Sequence, residues 1–494
     1  MHLGLVLDMA SSGYGDRIAV VANGESMSYE EIARLSWAAT ERLVASDATS
    51  VLYLGSNHLS YPVALFGAAG AGIPFIPLNY RLGAAQLSAQ IEAHPGSYVI
   101  YEGEPPALGK GMDAVERNQF IAEMRDISAE PAPEQDTDLT CILLYTSGTT
   151  AAPKAAVLRH RHLMSYLFSS VEFAGAEEDD AALVSVPPYH IAGVANLLSN
   201  FYAGRRIVYL DRFDPEIWLE TVRREEVTQA MVIPTMLSRI VDALDGEQSA
   251  QTPSLRALSY GGSRMPLPVL ERALSLFPET GFVNAYGLTE TSSTIALLGP
   301  DDHRDAFSSS DPVLRQRLTS VGQLLPGIDV EVRHEDGSLV EAGEPGLVFL
   351  KGDQISGEYA GVSLLDDDGW FPTRDRGWID ADGYLFIEGR ADDTIIRGGE
   401  NIAPAEIEDV LISHDDVVDA VVIGLPDDEW GQRLVAVVVA GESKTIDIEI
   451  LKELVKTQLR SSKTPEEIHI WDELPRTDTG KILRRNVVAD LSGS

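Results

Sequence analysis

The tightest constraint on the fold is a repeated alternation of short apolar runs with longer helix-patterned segments. Residues 51–54, 142–145, 183–186, 207–210, 230–233, 257–260 and 282–285 are apolar runs, and helix-like stretches lie near 30–45, 214–225, 235–245 and 266–276. Four-residue apolar runs suit strands buried on both faces, so the pattern predicts an α/β fold with layered, largely parallel sheets. At 494 residues the chain is too long for one ordinary core, and two or three domains are expected. Residues 328–351 break the pattern: Ile328-Asp-Val-Glu-Val and Gly346-Leu-Val-Phe-Leu alternate across Gly- and acid-rich turns, which predicts an antiparallel β subdomain.

Near residue 390 the character changes again. Gly389-Arg390-Ala391-Asp392-Asp393 is polar and separates two well-patterned regions, so it reads as a linker. Beyond it, Pro404 with Glu406 and Glu408 marks a helix start, followed by the stripe Ile407, Val410 and Leu411. Residues 417–423 and 434–440 read as strands, and Ile450, Leu451, Leu454, Val455 and Leu459 as a second amphipathic helix. The expected organisation is a large N-terminal domain over residues 1–389, a hinge at 390–393 and a small α+β domain over 394–494.

Composition then narrows the function. Lys plus Arg total 38 against 76 Asp plus Glu, a formal net charge of −38, which opposes a sequence-independent grip on nucleic acid or on an anionic membrane surface. The acid is uneven: residues 444–494 hold nine Lys/Arg and nine Asp/Glu, so an anionic ligand is repelled least there. Residues 48–80 carry no formal charge, but Gly55, Pro62, Gly67, Gly70, Gly72, Pro74 and Pro77 interrupt them, which predicts strand, helix and strand rather than stable membrane insertion. The single cysteine, Cys141, sits in an apolar run and reads as a buried thiol, and no Cys/His metal spacing occurs. No basic-then-apolar leader is present, and a cytoplasmic protein is expected.

Chemistry concentrates in short motifs at strand ends. Leu143-Leu-Tyr-Thr-Ser-Gly-Thr-Thr-Ala-Ala-Pro-Lys154 runs from a strand into a loop of hydroxyls and ends on a cation, a composition suited to a polyphosphate, although it is not a Walker motif. The same loop is equally compatible with a Ser/Thr-rich surface turn. Pro187-Pro-Tyr-His190-Ile-Ala-Gly193 and Tyr260-Gly261-Gly262-Ser263 each follow a strand. Asn284-Ala285-Tyr286-Gly287-Leu288-Thr289-Glu290 offers an aromatic face, a hydroxyl and a carboxylate. Thr373-Arg374-Asp375 places a carboxylate in a loop, and Pro475-Arg-Thr-Asp-Thr-Gly-Lys481 a lysine in a flexible one. Each motif alone is weak.

In this order, across residues 15–485, the motifs resemble the adenylate-forming superfamily of acyl-CoA synthetases, peptide-synthetase adenylation domains and luciferases. The resemblance implies that a carboxylate attacks the α-phosphorus of ATP to give acyl-AMP and pyrophosphate, after which the thiol of CoA displaces AMP. It implies that Thr146, Ser147, Gly148, Thr149, Thr150 and Lys154 hold the β- and γ-phosphates, Glu290 binds Mg²⁺, Thr289 lies near the α-phosphate, and Lys481 reaches the charge that develops there. Gly261, Gly262, Ser263, Asn284, Ala285, Tyr286 and Gly287 would surround the adenine, with Tyr286 on its face. Asp375, assisted by Arg390, would hold the ribose hydroxyls. Asp392 matches the hinge position, Gly398 and Gly399 would line the pantetheine path, and Trp430 either stacks on CoA or packs against the next strand.

The acid is expected to be apolar, fatty or aromatic. Where amino-acid-activating relatives carry an Asp, this chain has His190-Ile-Ala-Gly, and the presumed pocket (His190, Ile191, Val194, Met231, Ile233, Gly261) has no counter-charge for an ammonium. His190 would lie near the carboxylate or the pocket mouth. Two positions depart from the family pattern: Ala151 and Arg374 both stand where glycine is usual. Alternatives are an acyl-AMP ligase that loads a carrier protein, and a non-catalytic nucleotide-binding relative. Oligomeric state stays open, a homodimer included.

Overall fold

The structure is a computed structural model that describes residues 1–109, 111–146, 154–398, 400–427, 430–441, 444–459, 461–477 and 480–492. The expected site residues Ser147, Gly148, Thr149, Thr150 and Gly399, and the departure at Ala151, lie outside the described residues.

Among the described residues the N-terminal region holds two large sheets. In the first, the strands Ile18–Ala22, Arg206–Tyr209, Ala181–Val184, Gln229–Val232, Ala257–Gly261 and Gly281–Leu288 run parallel in that spatial order, with antiparallel strands at both edges. In the second, Thr140–Thr146, Phe75–Pro77, Val51–Leu54, Tyr98–Tyr101 and Asp113–Glu116 are parallel, and Lys154–Arg159 returns antiparallel beside the first of them. The uncharged stretch folds as strand Val51–Leu54, helix Ser60–Ala71 and strand Phe75–Pro77. That helix is buried from Ser60 to Gly70, which explains why it carries no polar face. Asn57 ties the two sheets by donating from Nδ2 to the Val186 carbonyl (3.0 Å).

Local chemistry sets the helix ends. Ser28 caps Tyr29–Ala45 by accepting from the Glu31 N–H (3.1 Å), with Glu30 and Glu31 in the first turn and Arg42 in the last. Asp214 caps Pro215–Arg224, whose proline stands at the start and whose arginines stand at the end.

The strands Asp329–Arg333, Gly346–Lys351, Phe371–Ile379 and Leu385–Arg390 form the expected antiparallel sheet. After residue 394 come a two-stranded ribbon, a three-stranded sheet (Val417–Asp427, Gly431–Ala440, Glu467–Trp471) and the helices Pro404–Ile412, Ile448–Gln458 and Arg484–Ser492. One element of the expected apolar stripe is corrected: Ile450 is 54% exposed. Leu451 and Val455 share the buried face four residues apart, with Leu454 and Leu459 against it, and Ile450 lies about 100° round the helix from Leu451. Cys141 is buried as expected, and burial pushes its thiol pKa up. No helix among the described residues is long and apolar enough to cross a membrane.

Candidate active site

A cavity of about 520 Å³ opens at the carboxyl ends of the neighbouring parallel strands Ala257–Gly261 and Gly281–Leu288, where open α/β sheets bind ligands. Its other wall comes from the region beyond residue 394, so the chain brings Gly261, Gly262, Ser263, Asn284, Ala285, Tyr286, Gly287, Asp375, Arg390 and Lys481 to one lining. These residues span more than 200 positions and share no local element. Gly261 is sterically required, because a Cβ there would lie 2.3 Å from the Ala285 carbonyl oxygen of the next strand.

Asp375 is 5% exposed and is fixed by the antiparallel pair that sets it opposite Arg390. Arg390 Nε lies 3.1 Å from Asp375 Oδ1, and Arg390 Nη1 donates to the Thr373 carbonyl (2.8 Å). The Tyr286 hydroxyl donates to Asp375 Oδ2, so this ring is braced by the same carboxylate it adjoins. The Asp375 N–H donates to Thr373 Oγ1 (3.0 Å), whose hydroxyl in turn donates to the Val348 carbonyl (2.7 Å). Burial raises the Asp375 pKa against the opposing pull of Arg390, and burial followed by the Asp375 charge raises that of Tyr286. The arrangement is a carboxylate held rigidly between Arg390 and Tyr286 at the cavity lining.

Lys481 faces this cavity from the other wall. Its loop closes on itself, with the Thr477 N–H donating to the Lys481 carbonyl (2.8 Å) and the Lys481 N–H to Thr477 Oγ1 (3.1 Å). Arg476 anchors it by donating to Asp419 (2.5 Å) and to the Gly480 carbonyl. The Lys481 side chain stays accessible through the open cavity, while protein on its other sides and the Arg390 guanidinium lower its pKa. A cation held in this way is ready to meet anionic charge.

Thr289 and Glu290 lie in the 3₁₀ turn Thr289–Thr291 just past the strand end. The Glu290 carbonyl accepts from the N–H groups of Ser356 (2.9 Å) and Gly357 (3.2 Å), and its Oε1 accepts from the Tyr359 hydroxyl. Thr146 ends its strand where Lys154 begins the next, and Lys154 Nζ lies 5.9 Å from the Tyr359 ring centre. No group of three or more His, Cys, Asp or Glu among the described residues could hold a metal ion. A single carboxylate still fits a magnesium ion whose remaining ligands are phosphates and water.

The expected acyl-pocket residues divide. Gly261 lines the cavity; His190, Ile191, Val194, Met231 and Ile233 do not. Val194 is fully buried in the core and Ile233 is 7% exposed, beside Gly262. His190 precedes the helix Ile191–Ala203, its ring 4.5 Å from that of Tyr189. Asn196, unremarked in the sequence, donates to Met231 Sδ (2.9 Å) and brings an amide to this neighbourhood.

Asp392 sits in the 3₁₀ turn Ala391–Asp393. Arg374 adopts φ +61°, the left-handed region that glycine favours, and reaches Asp392 at 3.9 Å rather than entering the cavity lining. Trp430 is 44% exposed; the Gly398 N–H donates to its carbonyl (2.8 Å) and the Arg397 guanidinium lies 4.9 Å from its ring, so it packs on the Gly398 turn. Sequence reading missed Tyr359 and the pair Arg264–Asp409, which joins the loop after Gly261-Gly262-Ser263 to the helix Pro404–Ile412. Neither lies in a recognisable motif.

Residues 7–360 match the model of the AMP-binding enzyme family, and residues 406–481 that of the AMP-binding enzyme C-terminal domain. A fatty acid–[acyl-carrier-protein] ligase of Streptomyces coeruleorubidus is 32% identical over 95% of this chain and 92% of its own. A feruloyl-CoA synthase of an Amycolatopsis species is 32% identical over 95% of each chain. Among solved structures, the o-succinylbenzoate-CoA synthetase of Bacillus subtilis with its acyl-adenylate intermediate superposes with a TM-score of 0.83 at 28% identity, covering 98% of this chain and 97% of its own.

Proposed function

The chain belongs to the AMP-binding enzyme family, and on that premise we propose that it is an AMP-forming acyl-CoA synthetase for an apolar carboxylic acid. The observation that carries this reading is the convergence of Asp375, Tyr286 and Lys481, from three distant segments, on one cavity.

In the first step an oxygen of the carboxylate attacks the α-phosphorus of ATP, and the bond to pyrophosphate breaks. Asp375 with Arg390 holds the ribose, Tyr286 bounds the adenine, and Lys481 offsets the charge that gathers between carboxylate and α-phosphate. Lys154, Thr146 and the hydroxyls that follow Thr146 in sequence take the β- and γ-phosphates. Glu290, beside Thr289, would hold a magnesium ion, which neutralises phosphate charge when bound. In the second step the CoA sulfur attacks the acyl carbon, the thiol proton is lost, and AMP leaves. Asp392 is the hinge about which residues 394–494 turn to withdraw Lys481 and admit the pantetheine arm past Gly398, Gly399 and Trp430. The preference for fatty or aromatic over amino acids rests on the sequence, in which His190-Ile191-Ala192-Gly193 offers no carboxylate to a substrate ammonium; of the six expected pocket residues only Gly261 lines the cavity.

Pyrophosphate release, measured over fatty, aromatic and amino acids with ATP, Mg²⁺ and CoA, tests the reading. Acid-dependent release with acyl-CoA formation is expected for apolar acids. ATP binding without acid-dependent release from any of them refutes it. The Streptomyces coeruleorubidus relative favours one second reading, transfer to a carrier protein. A holo-carrier that accepts the acyl group where free CoA does not would establish that acceptor.

A further inference from the structure

Tyr359 belongs to no motif, yet it touches three parts of the triphosphate end of the site. It lies in the short strand Glu358–Tyr359 and pairs with Ala156, two residues beyond Lys154. Its neighbour Glu358 takes a two-pronged ion pair from Arg159 (Nη2 to Oε1 2.8 Å and to Oε2 2.7 Å), which pins this strand to Lys154–Arg159. The Tyr359 hydroxyl then donates to Glu290 Oε1. The same segment fixes the Glu290 backbone through Ser356 and Gly357. Lys154 Nζ stands off the Tyr359 ring.

The geometry points to Tyr359 as a positioning residue for the metal-binding carboxylate, an inference that rests on the proposed role of Glu290. A lone carboxylate next to a phosphate-binding lysine tends to pair with it, which would occupy both groups before nucleotide arrives. The phenol prevents this in two ways. Its hydroxyl takes one lone pair of Glu290 without neutralising the charge, and its ring stands beside the ammonium of Lys154. Glu290 is thereby held oriented. Hydrogen-bond partners of a metal-binding side chain commonly contribute about 10- to 100-fold to metal affinity.

The test is Mn²⁺ binding, followed by the electron-paramagnetic-resonance signal of the unbound ion, in the full chain with an α,β-methylene ATP analogue. Tyr359→Phe should weaken Mn²⁺ binding about tenfold or more while analogue affinity measured without metal stays within about twofold. Glu358→Gln, which unpins the strand but keeps the phenol, should weaken it less. Tyr359→Phe with wild-type Mn²⁺ affinity overturns the inference. So does equal loss of analogue affinity with and without metal, or a drop in melting temperature with no change in metal affinity. Absence of nucleotide-dependent Mn²⁺ binding in the wild type would instead remove the role of Glu290 and with it the proposed function.

Discussion

Gly480→Ala tests whether the cavity wall carrying Lys481 has to dock for the first half-reaction and undock for the second. Gly480 has φ +77°, and a Cβ there would stand 2.5 Å from Thr235 Oγ1, 2.7 Å from its Cγ2 and 3.2 Å from its Cβ. Two costs follow, and they differ in where they apply. The left-handed backbone costs about 1–2 kcal/mol in any arrangement that keeps the loop conformation. The overlap with Thr235, on the helix Pro234–Ala243, exists only while the loop is docked, and overpacking of this kind costs about 1–3 kcal/mol. The docked-to-undocked ratio therefore falls roughly 5- to 150-fold. Acid-dependent ATP–pyrophosphate exchange reads the first half-reaction, and acyl transfer from supplied acyl-AMP to CoA reads the second. Exchange should fall by up to that factor and transfer should be largely spared. Thr235→Ala removes the two nearest atoms, so in that background Gly480→Ala should cost at least about 1 kcal/mol less. Coupling below about 0.5 kcal/mol, or equal loss of both half-reactions, would refute the docking argument.

Three further outcomes are expected. Because burial and Arg390 lower the Lys481 pKa, its ammonium is lost below the ordinary lysine value of about 10.4, so exchange should decline at alkaline pH before that point while acyl transfer does not; a decline only above it counts against the role of Lys481. Asp375→Asn should cut exchange at least about tenfold; the folded-state pKa of Asp375 is raised, so its contribution to stability falls as pH rises from the ordinary Asp range through the folded value, and the amide should remove that pH dependence of the melting temperature. A lower melting temperature that is independent of pH would contradict this sign. Arg374→Gly should leave stability unchanged or raise it by up to about 1 kcal/mol, since it relieves the left-handed φ and removes only an exposed 3.9 Å ion pair; a loss beyond that in denaturant melts would show that the arginine has a structural task.

What could be read from the sequence follows from how local each signal is. The strand at 51–54 coincides with Val51–Leu54 because four apolar residues bounded by Gly55 state their own limits. The run at 183–186 is displaced to Ala181–Val184, because Ser185-Val186 leads into the turn of Pro187-Pro188 and pairing begins in the small residues before it. Asp375, Arg390 and Lys481 were legible as motif members, whereas their convergence depends on a β subdomain and a distant loop that spacing cannot fold together. Tyr359 was illegible for the same reason: its partner Glu290 is 69 positions away, and no turn or repeat marks the pair. Ile450 was misread because a one-residue step along a helix turns a side chain away from a stripe that periodicity locates only approximately.

The wall that carries Lys481 is also built to be held weakly. Among the described residues, each buried apolar cluster lies wholly before or wholly after residue 394; the two C-terminal clusters run from Ile395 onward, and the large N-terminal one ends at Leu318. Contacts across the cavity include the ion pair Arg264–Asp409, both side chains at least 40% exposed, the approach of Gly480 to Thr235, and the packing of the helix Pro404–Ile412 against the strand Leu385–Arg390. An exposed pair contributes about 0–1 kcal/mol, and undocking would part no apolar cluster among the described residues. If residues 394–494 turn as proposed, the equilibrium would be moved by the differential affinity of ATP, acyl-AMP and CoA for the two arrangements, which is all a ligand can use to shift a population. On the proposed mechanism, a large apolar interface at this boundary would fix Lys481 at the phosphate and favour adenylation at the expense of the step that discharges the adenylate.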